Sequence, residues 1–194
     1  MTDPQPRIAP LDPARIRDLV ERRFPDAEQL LTAAGLDGRP VLNVLATLAA
    51  SPTLLAALFP LLDRLGRGTL PDRDRETVVL RVARHTRSAY EWAHHARFAD
   101  QLGLTGEDRA RIAAGPDAAG HTDRTRTLLR AVDELHRDSA LGDDTWQALT
   151  GLYTEPQILE LLTLVGLYTL VAYVLNSCRV PLDAWLPDPE PLPG

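Results

Sequence analysis

The stretch Arg73–Leu104, RDRETVVLRVARHTRSAYEWAHHARFADQLGL, decides how this chain folds. It has no glycine or proline break before Tyr90, and its apolar residues recur at helical spacing in two sets. In the first, Glu76, Val79 and Ala83 fall at i, i+3 and i+7, so a carboxylate shares a face with an apolar stripe. In the second, Glu91, His95, Phe98 and Leu102 follow the same spacing, with Tyr90, Trp92 and His94 beside them. The apolar face shifts near Thr86–Ser88, which predicts two consecutive helices joined there. A carboxylate on an apolar face is costly unless it is paired or protonated, so two of them near an imidazole mark the place to look for chemistry.

Working outward, local signals predict helices on both sides. Asp12 before Pro13 starts a helix to about Arg23, and a short apolar piece, Leu30 to Leu36, lies within Pro25–Arg39. VLNVLATLAA after Pro40 is helical in composition. Ser51-Pro52 starts a further helix that Pro60 should kink and that Gly66 and Gly68 close. Downstream, Gly103 ends the second central helix, and Thr105 with Asp108 starts another by the capping-box pattern, stopping at Gly115-Pro116. Helices are expected over residues 123–138, from Asp144 to Leu152, and from Thr154 to about Cys178. The tail after Val180 should be extended, with Trp185 pinning it to a neighbouring surface. No run alternates with period two between hairpin turns, so the fold class is all-α. The organisation read from this is an arm with short helices over 1–39, a helical domain over 40–183, and a proline-rich tail over 184–194.

At 194 residues, one full core is the working expectation. The formal charge of -6 argues against a nucleic-acid partner, although arginine is dense between Arg73 and Arg87. The single cysteine, Cys178, excludes an intramolecular disulfide and a cysteine-based zinc site, and fits a cytoplasmic protein. MTDPQPRIAPLDP lacks the features of a secretory leader. ILELLTLVGLYTLVAYVLNSC approaches the length of a membrane span, but it holds Glu160 and Asn176 and follows a strong cap. A buried helix, of the kind the centre of an oligomer demands, is the expectation rather than a membrane segment.

Glu76 together with SAYEWAHH at Ser88–His95 resembles the carboxymuconolactone decarboxylase family, related to the AhpD-type alkylhydroperoxidases. NVLATLA at Asn43, LPDRDRE at Leu70 and YTLVAYVLNS at Tyr168 extend the resemblance over about residues 40–183. It implies an AhpD-like helical domain, assembly as a trimer or hexamer, and an active site near a subunit interface. In the peroxidase branch a glutamate precedes a C-x-x-C-x-x-x-H motif by twelve positions. Here Glu76 and His95 match the glutamate and histidine, but Ser88 and Glu91 stand at the cysteine positions. Neither can act as a thiolate, so peroxidase activity is not expected. The resemblance to the decarboxylase branch implies acid-base chemistry without a cofactor, a decarboxylation or lactone-type proton transfer on a small carboxylated or enolisable compound. Reuse of the fold for a dehydration or cyclisation, or as a noncatalytic binding protein, are the alternatives.

Each residue has a bland alternative. His95 is the first choice as proton carrier, against a core histidine bonded to a carbonyl. Glu91, at i−4, orients His95 or acts as the base, against a wet helical pair. Glu76 reaches the same pocket, against a surface salt bridge with Arg73 or Arg75. Tyr90 donates to an enolate oxygen, against a half-buried tyrosine. Arg84 or Arg87 anchors a substrate carboxylate, against solvated arginine. Ser88 and Trp92 complete the expected substrate-binding set, although Ser88 also reads as a cap and Trp92 as packing. His94 should face away from His95. Glu76, Glu91 and His95 have suitable chemistry for a metal but no dense ligand spacing, and no metal is expected.

Overall fold

In a computed structural model, residues 5–23 and 40–194 are described, and they are helical with no strand among them. The expected piece at Leu30–Leu36 and the first four residues of the arm lie outside the described residues. The helices are α1 (Pro13–Arg23), α2 (Asn43–Leu48), α3 (Pro52–Gly66), α4 (Asp72–Thr86), α5 (Ala89–Gln101), α6 (Gly106–Ala114), α7 (Asp123–Asp138), α8 (Asp143–Thr150) and α9 (Glu155–Cys178). They divide into two compact units, one drawing on Met1–Arg67 and Val174–Pro187, the other on Gly68–Tyr173 and Asp188–Gly194.

In the first unit, Asp12 accepts the Arg15 N–H at 3.0 Å, which satisfies an otherwise orphaned donor at the start of α1. Ile16 packs with Leu45, Ala46, Leu48, Ala49, Leu55 and Phe59. Ser51 makes no side-chain cap, so Pro52 alone sets the start of α3, which continues through Pro60 to Gly66. Leu42 cannot cap α2, and Asp183, far along the chain, takes that role by accepting the Asn43 N–H at 2.8 Å. The Asn43 amide returns bonds to the carbonyls of Pro181 and Leu182. The C-terminal segment is held in part by Asp183 and by buried Leu186, and Trp185, the expected pin, is 39% exposed.

The second unit is built around α4. Every residue from Glu76 to Ala83 is buried, because α5, α6 and α7 all pack on this helix. Its polar side chains consequently find protein partners. Arg81 lies against both Asp133 oxygens, at 2.6 and 2.9 Å, and donates to the carbonyls of Ile112 and Ala113. One guanidinium thus ties α4 to α7 and to the end of α6. Burial pushes the Asp133 carboxyl up, but His85 and Arg81 together hold it below its ordinary value.

The α4–α5 join falls where the sequence places it. Arg87 adopts the left-handed conformation, Ser88 N–H reaches back to the Ala83 carbonyl at 2.9 Å, and Ser88 Oγ accepts the Glu91 N–H. On α5 the buried residues include Trp92 together with Ala93, Ala96 and Ala99, the alanines being small enough to permit close approach to α4, and Phe98 is 43% exposed. The expected stripe Glu91–His95–Phe98–Leu102 is therefore buried only at its start. The Thr105–Asp108 capping box forms as expected, and Thr154 pairs with Gln157 at the start of α9. Glu160 accepts from the Thr69 and Leu70 backbone and the Thr69 hydroxyl, holding the loop before α4. Gly68 is required by that contact, since a Cβ there would stand 1.7 Å from Glu160 Oε1.

Trp92 is fully buried among Leu80, Ala83, Ile112 and Leu129. Trp92→Ala should lower the unfolding free energy by about 3–5 kcal/mol in urea titration, in the range of other large-to-small core changes. A loss below about 1 kcal/mol is incompatible with this packing.

Candidate functional site

Folding α5 back from the Arg87 turn brings His95 alongside Glu76 of α4. His95 Nδ1 and Glu76 Oε2 are 2.7 Å apart. With a carboxylate as partner, Nδ1–H donates, which leaves Nε2 as the nitrogen able to take a proton from a substrate. Glu76 is 3% exposed, and its other oxygen lies 3.4 Å from Arg75 Nε, whose Nη1 holds Asp72 at 2.8 Å. The imidazole is framed edge-on by Tyr168 of α9, with ring centroids 5.0 Å apart, and by Phe98 at 5.5 Å.

Glu91 does not pair with His95, contrary to the i,i+4 expectation, because the imidazole is turned towards Glu76 on the neighbouring helix. Its side chain is 3% exposed, and neither carboxylate oxygen has a hydrogen-bond partner. Ser88 Oγ accepts the Glu91 backbone N–H at 3.4 Å, and no hydrogen bond of standard geometry joins that hydroxyl to the carboxylate. Burial pushes the Glu91 carboxyl up to about 8, against a smaller opposing pull from Ser88. At neutral pH it is held largely as the neutral acid. The Tyr168 phenol is pushed well above its ordinary value by burial, and further by the charges of Glu76 and Glu91, so both carboxyls lie within electrostatic reach of its hydroxyl.

The structure thus gathers Glu76, His95, Glu91 and Tyr168. Ser88 is a fully buried cap adjoining Glu91. Tyr90 is buried and stacks on His94 at 4.2 Å, and His94 Nδ1 lies 2.9 Å from the Tyr90 carbonyl. Trp92 belongs to the core rather than to a substrate surface, because its ring fills the space between α4 and α7. Arg84 donates to the Gly194 carbonyl at 2.8 Å, and Arg87 is exposed at the helix end, so neither joins the cluster. Tyr168 is the member that sequence reasoning missed, while Arg75 entered it only as a salt-bridge alternative for Glu76. The only local signal for Tyr168 was a polar ring inside an apolar run. Among the described residues, no group of three or more His, Cys, Asp or Glu side chains is arranged to hold a metal ion. The constellation is equipped for moving protons, with an imidazole–carboxylate pair, a neutral carboxylic acid and a phenol.

Residues 52–134 match the profile of the Carboxymuconolactone decarboxylase family. Among solved structures, an uncharacterized peroxidase-related protein from Silicibacter sp. TM1040 superposes with a TM-score of 0.75 and 18% identity, covering 97% of this chain and 98% of that one. An alkylhydroperoxidase AhpD core protein from Ralstonia eutropha JMP134 gives 0.75 and 19%, covering 93% and 94%. The debrominase Bmp8 in complex with 2,3,4-tribromopyrrole gives 0.72 and 13%, covering 91% of each chain. At these identities the likeness is one of fold. No curated protein matches the chain.

The raised Glu91 carboxyl carries a stability signature. Between about 4.5 and about 8 the unfolded chain releases a proton that the folded one retains, so this group's contribution falls as pH rises through that window and levels off above it. Glu91→Gln removes the effect. Its unfolding free energy should gain on the wild type by roughly 2–4 kcal/mol between pH 5 and pH 8 in urea titrations. A constant difference across that range contradicts a neutral buried acid.

Proposed function

For a chain that fits the AhpD-like carboxymuconolactone decarboxylase family, we propose cofactor-free acid-base catalysis on a small carboxylated or enolisable compound, by decarboxylation or lactone-type proton transfer. The observation that carries the reading is the 2.7 Å contact between His95 Nδ1 and buried Glu76. In a proton transfer, His95 Nε2 takes a proton from the carbon beside a carbonyl, and the C–H electrons pass into the carbonyl as an enolate. Glu76 stabilises the resulting imidazolium, and the same imidazolium returns the proton to carbon. In a decarboxylation the electrons come from the C–C bond as carbon dioxide leaves, and His95, first protonated at Nε2 by solvent and held as an imidazolium by Glu76, delivers that proton to carbon. Tyr168, and Glu91 as the neutral acid, are the donors on hand for the developing oxyanion. Dithiol peroxide reduction is disfavoured, since Ser88 and Glu91 carry no sulfur.

The enzyme is proposed to be a cytoplasmic homo-oligomer, a trimer or hexamer. Supporting assembly, beyond its first turn the solvent-facing positions of α9 in the second unit are Leu159, Thr163, Gly166, Leu170 and Tyr173, spaced alternately by four and three. Leu159 is 63% and Tyr173 66% exposed. This is the spacing of a seam that packs against another helix, and Gly166 leaves room for close approach. By length and composition the same helix is long enough to cross a membrane; its most apolar window has a mean hydropathy of 2.1, and 44% of that window is buried.

Screening small lactones and β-keto acids by mass spectrometry should reveal turnover that His95→Ala and Glu76→Gln each reduce by about 10²–10⁴-fold. Sedimentation of both variants should match the wild type, and full activity in both removes the assignment. Separately, the double variant Leu159→Glu/Tyr173→Glu should sediment as a monomer. An unchanged sedimentation coefficient moves the interface elsewhere.

A further inference from the structure

A buried carboxylic acid with no hydrogen-bond partner is an uncommon feature, because each polar atom withdrawn from water ordinarily finds a replacement. Glu91 has none for either oxygen, and it stands one helical turn before the imidazole of the Glu76–His95 pair. Tyr168 of α9 links the two carboxyls, lying within electrostatic reach of Glu91 and of Glu76 with Arg75 and edge-on to the His95 ring, while the Ser88 hydroxyl stands in the same turn as Glu91. Resting on the acid-base reading and narrowing it, we infer that Glu91 is a hydrogen-bond donor to the carbonyl oxygen of the substrate, and that the site selects uncharged enolisable carbonyl compounds over their carboxylated counterparts.

The charge inventory supports the selection. A substrate carboxylate entering beside Glu76 and Glu91 needs a cation to offset its desolvation and its repulsion by Glu76. The guanidinium bordering the cluster, Arg75, is already engaged by Asp72 and Glu76. Arg84 is bound to the Gly194 carbonyl, Arg81 to Asp133 and two carbonyls, and Arg87 is exposed at the end of α4. A neutral ketone or lactone makes no such demand. Its carbonyl oxygen supplies the acceptor that the Glu91 O–H lacks, and that bond strengthens as the oxygen becomes an enolate, so the donor favours the transition state over the bound ground state. A buried acid kept neutral to serve as a donor is an established device for stabilising enolates. The step balances without an external reagent. Nε2 of His95 takes the α-proton, the C–H electrons form the C=C bond, and the carbonyl π electrons move to the oxygen held by Glu91. The proton then returns to the α- or γ-carbon. Glu91 keeps its proton throughout.

The test uses two probes, a β,γ-unsaturated γ-lactone and the same lactone bearing a free carboxylate. Exchange of the α-protons in D₂O is followed by NMR with the full-length wild type, Glu91→Ala and Glu91→Gln. The wild type should exchange the neutral lactone at least about tenfold faster than the carboxylated one. Glu91→Ala should lose about 10²–10³-fold, the range found for removing one oxyanion donor. Glu91→Gln, which retains an N–H donor and the side chain's shape, should keep most of the rate and should lose the decline in activity that the wild type shows above about pH 8. If the two lactones react equally, or the carboxylated one faster, the substrate inference is overturned while the Glu76–His95 assignment stands. If Glu91→Ala retains the wild-type rate, the donor role is overturned. If neither lactone exchanges with the wild type, the acid-base reading itself fails, and this inference with it.

Discussion

A helix buried around its whole circumference must settle every polar group it carries with its neighbours, and α4 is such a helix. From Glu76 to Ala83 no side chain reaches water freely, yet Glu76, Thr77 and Arg81 are among them. Thr77 is satisfied within the helix, its hydroxyl donating to the Arg73 carbonyl at 2.7 Å. The other two look outward. Glu76 takes the imidazole of α5, and Arg81 takes Asp133 of α7 together with two carbonyls at the end of α6. Leaving the Glu76 or Arg81 contacts unmade strands a charge in the core at a cost of several kcal/mol, so these polar residues help to specify where three neighbouring helices sit, beside the valines and leucine.

Glu91 departs from that rule. It is as buried as Glu76, in the same unit, and unpartnered. The chain accommodates it by keeping the proton on, which removes the charge but leaves a donor and an acceptor unused. A group held in that state lowers stability without contributing to packing. Such a residue is most economically understood through what it does with a ligand, since a leucine of similar volume would serve the core better. Two glutamates fifteen positions apart thus acquire opposite characters from their surroundings: one accepts a hydrogen bond beside an imidazole, the other is available to donate one.

Much of the helical framework was legible because its signals are local. The capping box at Thr105 and Asp108, the span of residues 123–138, and the join between α4 and α5 near Ser88 all follow from the pattern of a few neighbouring residues, although the left-handed conformation of Arg87 at that join does not. Elsewhere the local signal was incomplete. Ser51 looks like a cap and makes none, while the N-terminus of α2 is capped by Asp183 from a distant part of the chain. Trp185 looked like the residue that would hold the tail, and Leu186 and Asp183 are the buried ones.

By itself the sequence determined that this protein is all-α, that a dithiol is absent, and that Glu76, Glu91 and His95 lie on apolar faces of two adjoining helices. Only the tertiary structure decided which carboxylate the imidazole takes. On an isolated helix Glu91 is the natural partner of His95, but α4 packs so closely on the alanine side of α5 that Glu76 reaches the ring first. It also brought in Tyr168, whose only local mark was a polar ring in an apolar run and whose partners on α4 and α5 lie far along the chain, and showed which side of the nearly all-apolar α9 faces solvent. Helix boundaries depend on neighbours in sequence, whereas partner choice depends on which surfaces meet, and the first can be read from spacing while the second requires the packed core.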